Sequence, residues 1–477
     1  MIKKTSVPVM KEKHSLIMRW THWVNFPVLA VMIWSGLFIY WANDAYGITI
    51  FGTTIFQFFP EWFYNYFHLK QRLAEGMAFH FLFMWFFFIN GLLYVVYTLI
   101  SGSWRELVPK RNSFKEAWQV LLHNLHIRKT IPPQKKYNAA QRIAYTSIIV
   151  MGFGSVFTGL AIYKPVQFYW ICWLCGGYHT ARILHFALTI GYVLFFMIHV
   201  VQVILAGWNN FRAVIAGFEV RKTDTLPLTV EQQIKRRTFI SFGAFTVLSI
   251  GAFAGWKWLY NSPEEIAGIT GGTRAPLRRA LNKSELFFRN LFSNNHLVKT
   301  YPKSMAAEDV RVNSMIGIDD ENFNPDNWQL NVKNTDGSTL KVSIEEIRAM
   351  PKTEIVFDFK CVEGWDQIQH WAGVSLIDFL DHYRMEENVK QKYMGLETPN
   401  GEYYVGLEME SAVHPQTILA YQMNGKPLLL EHGAPLRLII PVKYGIKNLK
   451  RIGTMSFSNT RPKDYWAEQG YDYYSGL

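Results

Sequence analysis

Apolar residues are concentrated in the first 260 positions of this 477-residue chain, where they form five long runs. Each run is close to the roughly 20 residues that a helix needs to cross a bilayer. We therefore predict spanning helices at about 20–41, 79–100, 143–163, 183–206 and 239–259. The overall content of 49% hydrophobic and 16% aromatic residues is high for a soluble protein and agrees with this prediction.

The pattern changes from about Asn282, where short segments alternate apolar and polar residues in the way that β-strands do. Asp336-Gly337 and Asn424-Gly425 are turn signals among these segments. The predicted strands are 328–334, 338–344, 353–361 and 435–441, and two short helical patterns occur at 343–350 and 375–384. We predict a soluble, mostly-β domain of the α+β class with about 190 residues.

Lysine and arginine are concentrated in the connections 101–142 and 207–237, and are scarce in 42–78 and 164–182. Because basic loops stay in the cytoplasm, we expect a cytoplasmic N-terminus and an external domain after the fifth span. The basic N-terminus lacks the apolar segment and cleavage site of a signal peptide, so we expect a cytoplasmic tail. These loops account for the formal charge of +12 better than a nucleic-acid surface does.

The fourth predicted span contains two histidines, His185 and His199. Fourteen helical residues place them near one face and about 21 Å apart, close to opposite membrane boundaries. A single histidine in an apolar helix is most often structural, but two on one face inside lipid indicate a functional site. By depth, His22 matches His199 at the inner boundary and His80 matches His185 at the outer one. Since imidazole suits iron, we predict two bis-histidine sites for two b-type haems.

Several motifs around these histidines resemble the di-haem b-type cytochromes that serve membrane hydrogenases and formate dehydrogenases. They are Arg19-Trp20-Thr21-His22-Trp23, Ser35-Gly36, and 177–182 leading into His185 and His199. The resemblance covers about 14–218 and implies electron exchange with membrane quinone and with an extracytoplasmic partner. Arg182, one turn before His185, is a candidate for binding a haem propionate or an ordinary snorkelling arginine.

Cys361 is the single cysteine of the C-terminal part and follows a predicted strand. Such a cysteine is most often a small core residue, although its thiolate also suits molybdenum. The segments that surround it resemble the sulfite oxidase family of molybdopterin enzymes over about 285–477: 361–365, 371–374, 419–427, 432–437 and 447–450. The resemblance implies a molybdenum held by the pterin dithiolene and Cys361. The implied cofactor contacts are His432, Arg437, Lys447 and Lys450, with Asn295, His296, Arg311 and Asn313 as further candidates.

The chain departs from classical sulfite oxidases, which have an arginine shortly after the metal-binding cysteine. Here Glu363, Gly364 and Trp365 occupy that stretch, and together with 412–417 they are closer to the periplasmic methionine sulfoxide reductase branch. The missing arginine argues against sulfite and for a neutral or different substrate. Glu363 and His414 are candidates for the substrate side, as proton donor or orienting group, or are structural residues behind the ligands.

Two further motifs leave alternatives open. Lys235-Arg236-Arg237, before the fifth span, fits either a twin-arginine export signal or plain positive-inside anchoring. A domain that folds around a cofactor loaded in the cytoplasm favours export, which makes the export machinery an expected partner. For Cys172-x-x-Cys175, in an outer connection, an incidental pair or a simple disulfide is favoured over a redox pair.

The sequence thus predicts a membrane all-α four-helix di-haem bundle with a fifth anchoring transmembrane helix, followed by a soluble mostly-β α+β molybdopterin domain. The predicted domains are a cytochrome b domain at 1–218, a basic linker with the fifth helix at 219–260, a linker at 261–284 and the molybdopterin domain at 285–477. We expect a multi-pass protein of the bacterial inner membrane, with its C-terminal domain in the periplasm. A homodimer is one option, and no nucleic acid is expected.

The predicted activity is oxygen-atom transfer on a small molecule at molybdenum, with electrons passing between membrane quinone, two haems and the metal. We favour quinol-driven reduction of an S-oxide or N-oxide. Two alternatives remain: the same architecture oxidising a substrate and delivering electrons to quinone, or a cytochrome b conduit with a non-catalytic binding or sensory domain.

Overall fold

The structure is a computed structural model that describes residues 10–124, 127, 129–130, 137–220, 228–262, 274–291, 296–320 and 323–477. Asn295, a candidate cofactor contact, lies outside these residues. The helices of the first 291 residues are, in chain order, α1 (Leu16–Tyr40), α2 (Glu61–Tyr66), α3 (Leu73–Ile100), α4 (Trp104–Leu107), α5 (Ser113–Asn124), α6 (Ala139–Tyr163), α7 (Tyr169–Leu174), α8 (Tyr178–Ala216), α9 (Leu228–Asn261) and α10 (Ala275–Leu291).

Within the described residues, five helices are long and apolar enough to cross a membrane: α1, α3, α6, α8 and α9. They correspond to the five predicted spans, so the prediction of five long apolar helices at these positions is confirmed. The helical path of α8 breaks at Gly207, whose φ of 75° is in the region that favours glycine. The break falls next to the predicted end of the fourth span. Arg236 and Arg237 lie inside α9, well after its first residue, and both are exposed.

Two small antiparallel pairs accompany the spanning helices, and neither was predicted. Strand β1 (Met10–Glu12) pairs with β4 (Phe218–Val220). Strands β2 (Gly47–Ile50) and β3 (Thr53–Gln57) form a hairpin in the connection between α1 and α3.

The stretch 261–284, predicted to be a linker, is a helix from Ala275 onward. Helix α10 buries Leu277, Leu281 and Phe288 on one side, a spacing that matches the helical repeat. The prediction failed here because the charged residues between these positions obscure the apolar stripe. The described part of this stretch is therefore an ordered element of the fold.

The C-terminal part consists of two sheets with short helices. Its strands are β5 (Gln329–Lys333), β6 (Thr339–Ser343), β7 (Thr353–Lys360), β8 (Asp366–Ser375), β9 (Tyr393–Glu397), β10 (Tyr404–Glu408), β11 (Ile418–Met423), β12 (Lys426–Pro427), β13 (Arg437–Ile439) and β14 (Thr454–Ser458). Its helices are α11 (Ile344–Arg348), α12 (Leu376–His382), α13 (Glu386–Val389), α14 (Met409–Ala412) and α15 (Tyr465–Glu468). All four predicted strands and both predicted helices are present.

The first sheet has the order β10-β9-β14-β5-β6, and the second has the order β12-β11-β8-β7 with β13 also paired to β11. The second sheet is buried on both faces, as β11 illustrates. Leu419 and Tyr421 point into the core that the two sheets share, whereas Ile418 and Ala420 point into a second core. Cys361 belongs to that second core, directly beyond the end of β7.

By contacts between residues, the chain divides into two compact units. Unit 1 comprises Met1–Ile33, Phe83–Gly159 and Thr180–Asn261. Unit 2 comprises Trp34–Leu82, Leu160–His179 and Ser262–Leu477. Unit 2 therefore combines the C-terminal sheets with one end of α1, α3 and α6.

Candidate active site and haem ligands

Cys361 is held in a tight turn at the end of β7. The backbone amide of Cys361 donates to the carbonyl of Trp365 at 2.9 Å, and the amide of Gly364 donates to the carbonyl of Cys361 at the same distance. Gly364 has a φ of 97°, which a side chain would disfavour, so the turn requires glycine at this position. The turn directs a buried thiol away from the regular strand.

Two side chains contact this thiol, and two more pack against them. The amide nitrogen Nδ2 of Asn313 lies 3.4 Å from Cys361 Sγ, and Glu363 Oε2 lies 3.8 Å from it. The indole of Trp365 donates to that same Glu363 oxygen at 3.0 Å. The guanidinium of Arg311 lies 4.8 Å from the centre of the Trp365 ring. Asn313, Glu363 and Arg311 were all predicted as site residues, and the structure brings them together around Cys361.

Burial, together with the nearby Glu363 carboxylate, raises the pKa of Cys361 to about 12. With this pKa the thiol is neutral at ordinary pH. Binding of a metal cation would deprotonate it, because the thiolate is the form that coordinates a metal. The buried cysteine and its amide and carboxylate neighbours therefore fit a metal ligand better than a reactive nucleophile.

Two buried cations, Arg437 and Lys450, lie in β13 and after it, close to His432 in the turn before the strand. Arg437 is almost fully buried, and its two terminal nitrogens donate to the carbonyls of His432 and Asn448 at 3.0 and 3.3 Å. Its Nε is buried and has no hydrogen-bond partner. Lys450 donates to the carbonyls of Asn313, Ser314 and Glu431 at 2.6, 2.8 and 2.9 Å. Lys450 thereby connects the cationic group to the segment that carries Asn313.

Burial is the main cause of the lowered pKa values in this group, and the charge of Arg437 adds to it for Lys450 and His432. Burial first, and then Arg437, lowers the pKa of Lys450 to about 7. Burial, with Arg437 and Lys450, lowers the pKa of His432 to about 4, and burial lowers that of Arg437 to about 9. A bound anion would relieve this repulsion and supply an acceptor for the orphaned Arg437 Nε. The residues therefore fit the phosphate-bearing end of a molybdopterin.

Gly433 allows the backbone to approach closely at this site. Its φ is 95°, and a Cβ atom there would lie 2.8 Å from both the amide of Arg451 and Lys450 Cβ. No side chain can be accommodated without moving one of those groups. The glycine in the predicted motif 432–437 is thus explained by its close packing against Lys450 and Arg451.

The remaining predicted residues of this domain have other surroundings. Lys447 forms a buried ion pair with Asp464 and donates to the carbonyl of Gly406 at 3.0 Å. His414 is buried, with Nε2 3.3 Å from the carbonyl of His296 and Nδ1 accepting from the Gln416 amide at 3.2 Å. These contacts give Lys447, His414 and His296 a structural role, and their predicted contacts with cofactor or substrate remain predictions.

In unit 1, His22 of α1 and His199 of α8 face each other. Their ring centres are 6.1 Å apart with an interplanar angle of 54°, and Phe195 stacks on the His199 ring at 5.7 Å. This separation leaves room for a single metal ion bonded to both rings, given metal–nitrogen bonds of about 2 Å. The pair fits the bis-histidine site that the sequence predicts near the inner boundary.

His80 and His185 share one local arrangement, although they fall in different units. In unit 2, the hydroxyl of Ser35 lies 3.1 Å from His80 Nδ1; in unit 1, the hydroxyl of Thr158 lies 2.8 Å from His185 Nδ1. Gly36 follows Ser35, and Gly159 follows Thr158. A Cβ atom on these glycines would lie 3.8 Å from His80 Cε1 and 3.5 Å from His185 Cε1. A hydroxyl on Nδ1 fixes ring orientation, so that a metal would bind the other nitrogen.

This repeated arrangement shows which residues the sequence analysis missed. Thr158-Gly159 has the same pattern as Ser35-Gly36, a hydroxyl residue followed by glycine inside a span. Searching for that dipeptide in every span would have found Thr158. Arg182 lies on α8, three residues before His185, and is half-buried. Its contact with a propionate remains a prediction, as does the pairing of His80 with His185.

Cys172 and Cys175 are both buried free thiols, in and just after α7. Burial raises the pKa of Cys172 to about 11, which disfavours the reactive thiolate. The pair is not disulfide-bonded in this structure, and its surroundings agree with the incidental alternative.

Comparison with known families agrees with both halves of the chain. Residues 13–217 match the family described as prokaryotic cytochrome b561, and residues 317–466 match the oxidoreductase molybdopterin binding domain. YedZ1 of Azospira oryzae, provisionally named a protein-methionine-sulfoxide reductase subunit, is 34% identical over 39% of this chain and 70% of its own length.

Two further relatives are named protein-methionine-sulfoxide reductase catalytic subunit MsrP. The Campylobacter jejuni protein is 32% identical over 33% of this chain and 59% of its own length. The Xanthomonas axonopodis protein is also 32% identical, over 29% of this chain and 47% of its own length. The chain thus spans about half the length of these MsrP relatives.

The fold and the two kinds of site define a membrane cytochrome b joined to a molybdopterin oxidoreductase. The chain belongs to the family that contains the YedZ1 subunit, and it carries an oxidoreductase molybdopterin binding domain in the same polypeptide. Its cofactors are accordingly haem b and a molybdenum–molybdopterin. Cys361 and Arg437 fit the second cofactor by the chemistry described above, and the contacts of His432 and Lys450 with it remain predictions.

Proposed function

We propose that this chain uses electrons from membrane quinol to reduce sulfoxides, with methionine sulfoxide in proteins as the preferred substrate. The observation that carries the proposal is the Glu363 carboxylate 3.8 Å from Cys361 Sγ. A carboxylate beside the metal ligand repels an anion such as sulfite, but it tolerates a neutral sulfoxide. The names of the YedZ1 and MsrP relatives support the same substrate class.

The chemistry requires two electrons and two protons for each sulfoxide, and yields a thioether and water. When bound, the molybdenum cofactor supplies the two-electron oxygen-atom chemistry. Cys361 would hold the metal, while Arg437, Lys450 and His432 would hold the anionic end of the pterin. Glu363 Oε2, oriented by the Trp365 indole, is our candidate for orienting the substrate or passing it a proton.

On the membrane side, His22 and His199 would hold one haem near the cytoplasmic face. His80 and His185 would hold a second haem near the outer face. Quinol would then be oxidised at the membrane, and the domain that carries Cys361 would work in the periplasm of a bacterium. The proposed location rests on the basic connections 101–142 and 207–237, which favour the cytoplasmic side.

The proposal is tested by following haem absorbance in the purified, cofactor-loaded protein. The haems are first reduced without oxygen by a quinol analogue, and then a methionine sulfoxide peptide, an N-oxide or sulfite is added. We expect the sulfoxide to reoxidise the haems in the wild type and in Cys172→Ser, but not in Cys361→Ser. If no oxide reoxidises the haems, and sulfite reduces the haems of a separate sample that starts oxidised, the chain oxidises its substrate and the proposal is wrong.

A further inference from the structure

The hairpin of β2 and β3 is an exposed element without charge. Residues 45–60 contain no lysine, arginine, aspartate or glutamate. The strands are joined by Phe51 and Gly52, whose φ values of 50° and 79° are those of a two-residue turn of the type that closes hairpins. Every residue of both strands is exposed in the structure.

The strand register separates the side chains of this hairpin into two faces. Ile48 pairs with Phe56, and Ile50 pairs with Thr53, whereas Thr49 pairs with Thr54. The register shifts between Ile48 and Thr49, which leaves the exposed Ile55 outside the paired residues, and Thr53 shares the face of Ile50. Opposed residues share a face and neighbours along β2 alternate, so Ile48, Ile50 and Phe56 lie together. We call these three residues the apolar face. The opposite face carries Thr49 and Thr54, whose hydroxyls are 3.2 Å apart.

The side chains of the apolar face are about half exposed, and contact of these apolar groups with water is unfavourable. Ile48, Ile50 and Phe56 are 47%, 49% and 53% exposed, and Phe51 at the turn is fully exposed. A two-stranded hairpin is marginally stable on its own in water, and clustered exposed apolar residues indicate an interaction surface. The hairpin therefore needs an apolar environment in addition to its own hydrogen bonds.

The base of the hairpin is attached to the end of a membrane-spanning helix. The hydroxyl of Tyr40, the last residue of α1, accepts from the amide of Tyr46 at 2.5 Å and donates to the carbonyl of Phe58 at 3.4 Å. The Tyr46 ring lies edge-on to His179 at 6.5 Å, near the first residue of α8. The hairpin thus starts at the level where two spanning helices meet the membrane surface.

We propose that the apolar face of this hairpin inserts into the boundary between headgroups and acyl chains of the bilayer that α1 crosses. Three arguments favour lipid as the partner. The base of the hairpin is hydrogen-bonded to the last residue of α1, the hairpin carries no charged residue, and its two faces differ in polarity. Trp62 and Tyr66 of the following helix α2 are also exposed, as in the aromatic belts of membrane interfaces.

A second copy of the chain is the main competing partner. Three side chains and a turn cannot supply the roughly 1,000 Å² that a specific protein interface buries. The threonines of the opposite face would instead suit water and lipid headgroups. Binding to a lipid surface does not require shape complementarity, so a small amphipathic hairpin is large enough to insert into it.

The test measures the environment of spin labels in the full-length protein, reconstituted in lipid nanodiscs. Ile50→Cys labels the apolar face, Thr49→Cys labels the opposite face, and Lys341→Cys labels an exposed position of β6 as a control. The native cysteines are buried and would label poorly. Collisions with oxygen, which dissolves in lipid, are compared with collisions with a water-soluble nickel chelate. Unchanged haem absorbance confirms that each variant is folded.

We expect the ratio of oxygen to nickel accessibility to exceed one at position 50 and to fall below one at positions 49 and 341. Nickel accessibility at position 50 equal to that at 341 would place the hairpin in water and overturn the proposal. Protection at position 50 that is lost when each disc holds a single protein would identify a second copy as the partner, which also overturns it.

Discussion

The ammonium group of Lys164 forms an ion pair with the carboxylate of Glu285, 121 residues further along the chain, and both side chains are fully buried. Lys164 directly follows α6, whereas Glu285 lies on α10. The same ammonium donates to the carbonyl of Gly476 at 2.7 Å. Within unit 2, this pair therefore connects the end of a spanning helix with the helix before the sheets and with the C-terminus.

Removing one partner of this pair is expected to be strongly destabilising. Lys164→Met leaves a buried carboxylate without its counter-ion and should lower the free energy of unfolding by about 3–5 kcal/mol. The double variant Lys164→Met with Glu285→Leu should recover most of that loss, because neither charge remains. Chemical denaturation in detergent measures both. Lys390→Met, in an exposed ion pair with Glu387, is the control and should have little effect. Equal losses in the single and double variants would contradict this account.

The raised pKa of Asp472 should make the stability of the protein depend on pH. Burial, and then the neighbouring Glu285, raises the pKa of Asp472 to about 7 from the ordinary value of 3.8. Between these values the folded protein keeps a proton that the unfolded chain releases, so the free energy of unfolding falls as pH rises. Asp472→Asn cannot titrate and should make this part of the profile flatter. Denaturation curves at several pH values provide the measurement, and an unchanged slope in the variant would exclude Asp472 as the source.

The hydroxyl groups of Ser35 and Thr158, which contact the rings of His80 and His185, should affect haem binding. Thr158→Val and Ser35→Ala remove the hydrogen bond to Nδ1, and second partners of metal-binding histidines typically contribute about 10- to 100-fold in affinity. We expect lower haem occupancy or a shifted midpoint potential in both variants. Thr189→Val is a matched control, because its hydroxyl contacts the backbone carbonyl of His185 and not the ring. If all three variants behave as the wild type, the hydroxyls do not orient haem ligands.

His199→Met tests the proposed path of electrons through the inner haem. The change should remove or alter the inner haem and block quinol-linked turnover. Reduction of sulfoxide by an artificial donor that acts at the molybdenum domain should persist, because the site around Cys361 is unchanged. His123→Met, in α5, provides a control for the substitution itself. Loss of both activities in a folded variant would refute the proposed path.

Arg437 and Lys447 should differ in their effect on cofactor content. Arg437→Gln removes a charge-assisted contact of about 1.5–3 kcal/mol, which corresponds to about 10- to 100-fold in affinity. Bound molybdenum, measured by metal analysis, should fall accordingly. The double variant Lys447→Met with Asp464→Asn removes both charges of a buried ion pair, keeps an oxygen that can accept from the Ala467 amide, and should keep its molybdenum. A loss of metal from the double variant alone would assign Lys447 to the cofactor.

Local sequence patterns were sufficient for much of this architecture. The lengths of the apolar runs predicted the five spans, and the alternation of apolar and polar residues predicted four of the strands. Helical spacing placed His185 and His199 on one side of α8. Each of these depends on residues that are close along the chain, where backbone geometry alone sets which side chains share a face. The motif around Cys361 was also recognisable, because one tight turn holds Cys361, Glu363 and Trp365.

Only the tertiary structure decided which distant groups meet. It pairs Lys447 with Asp464, surrounds His414 with backbone, and makes α10 a packed helix where the sequence suggested a linker. It also places Thr158 on His185 and Ser35 on His80. A buried charge or ring nitrogen must find a partner, but many residues of the chain could provide it. Packing of the helices and sheets selects the partner, and a one-dimensional pattern does not contain that information.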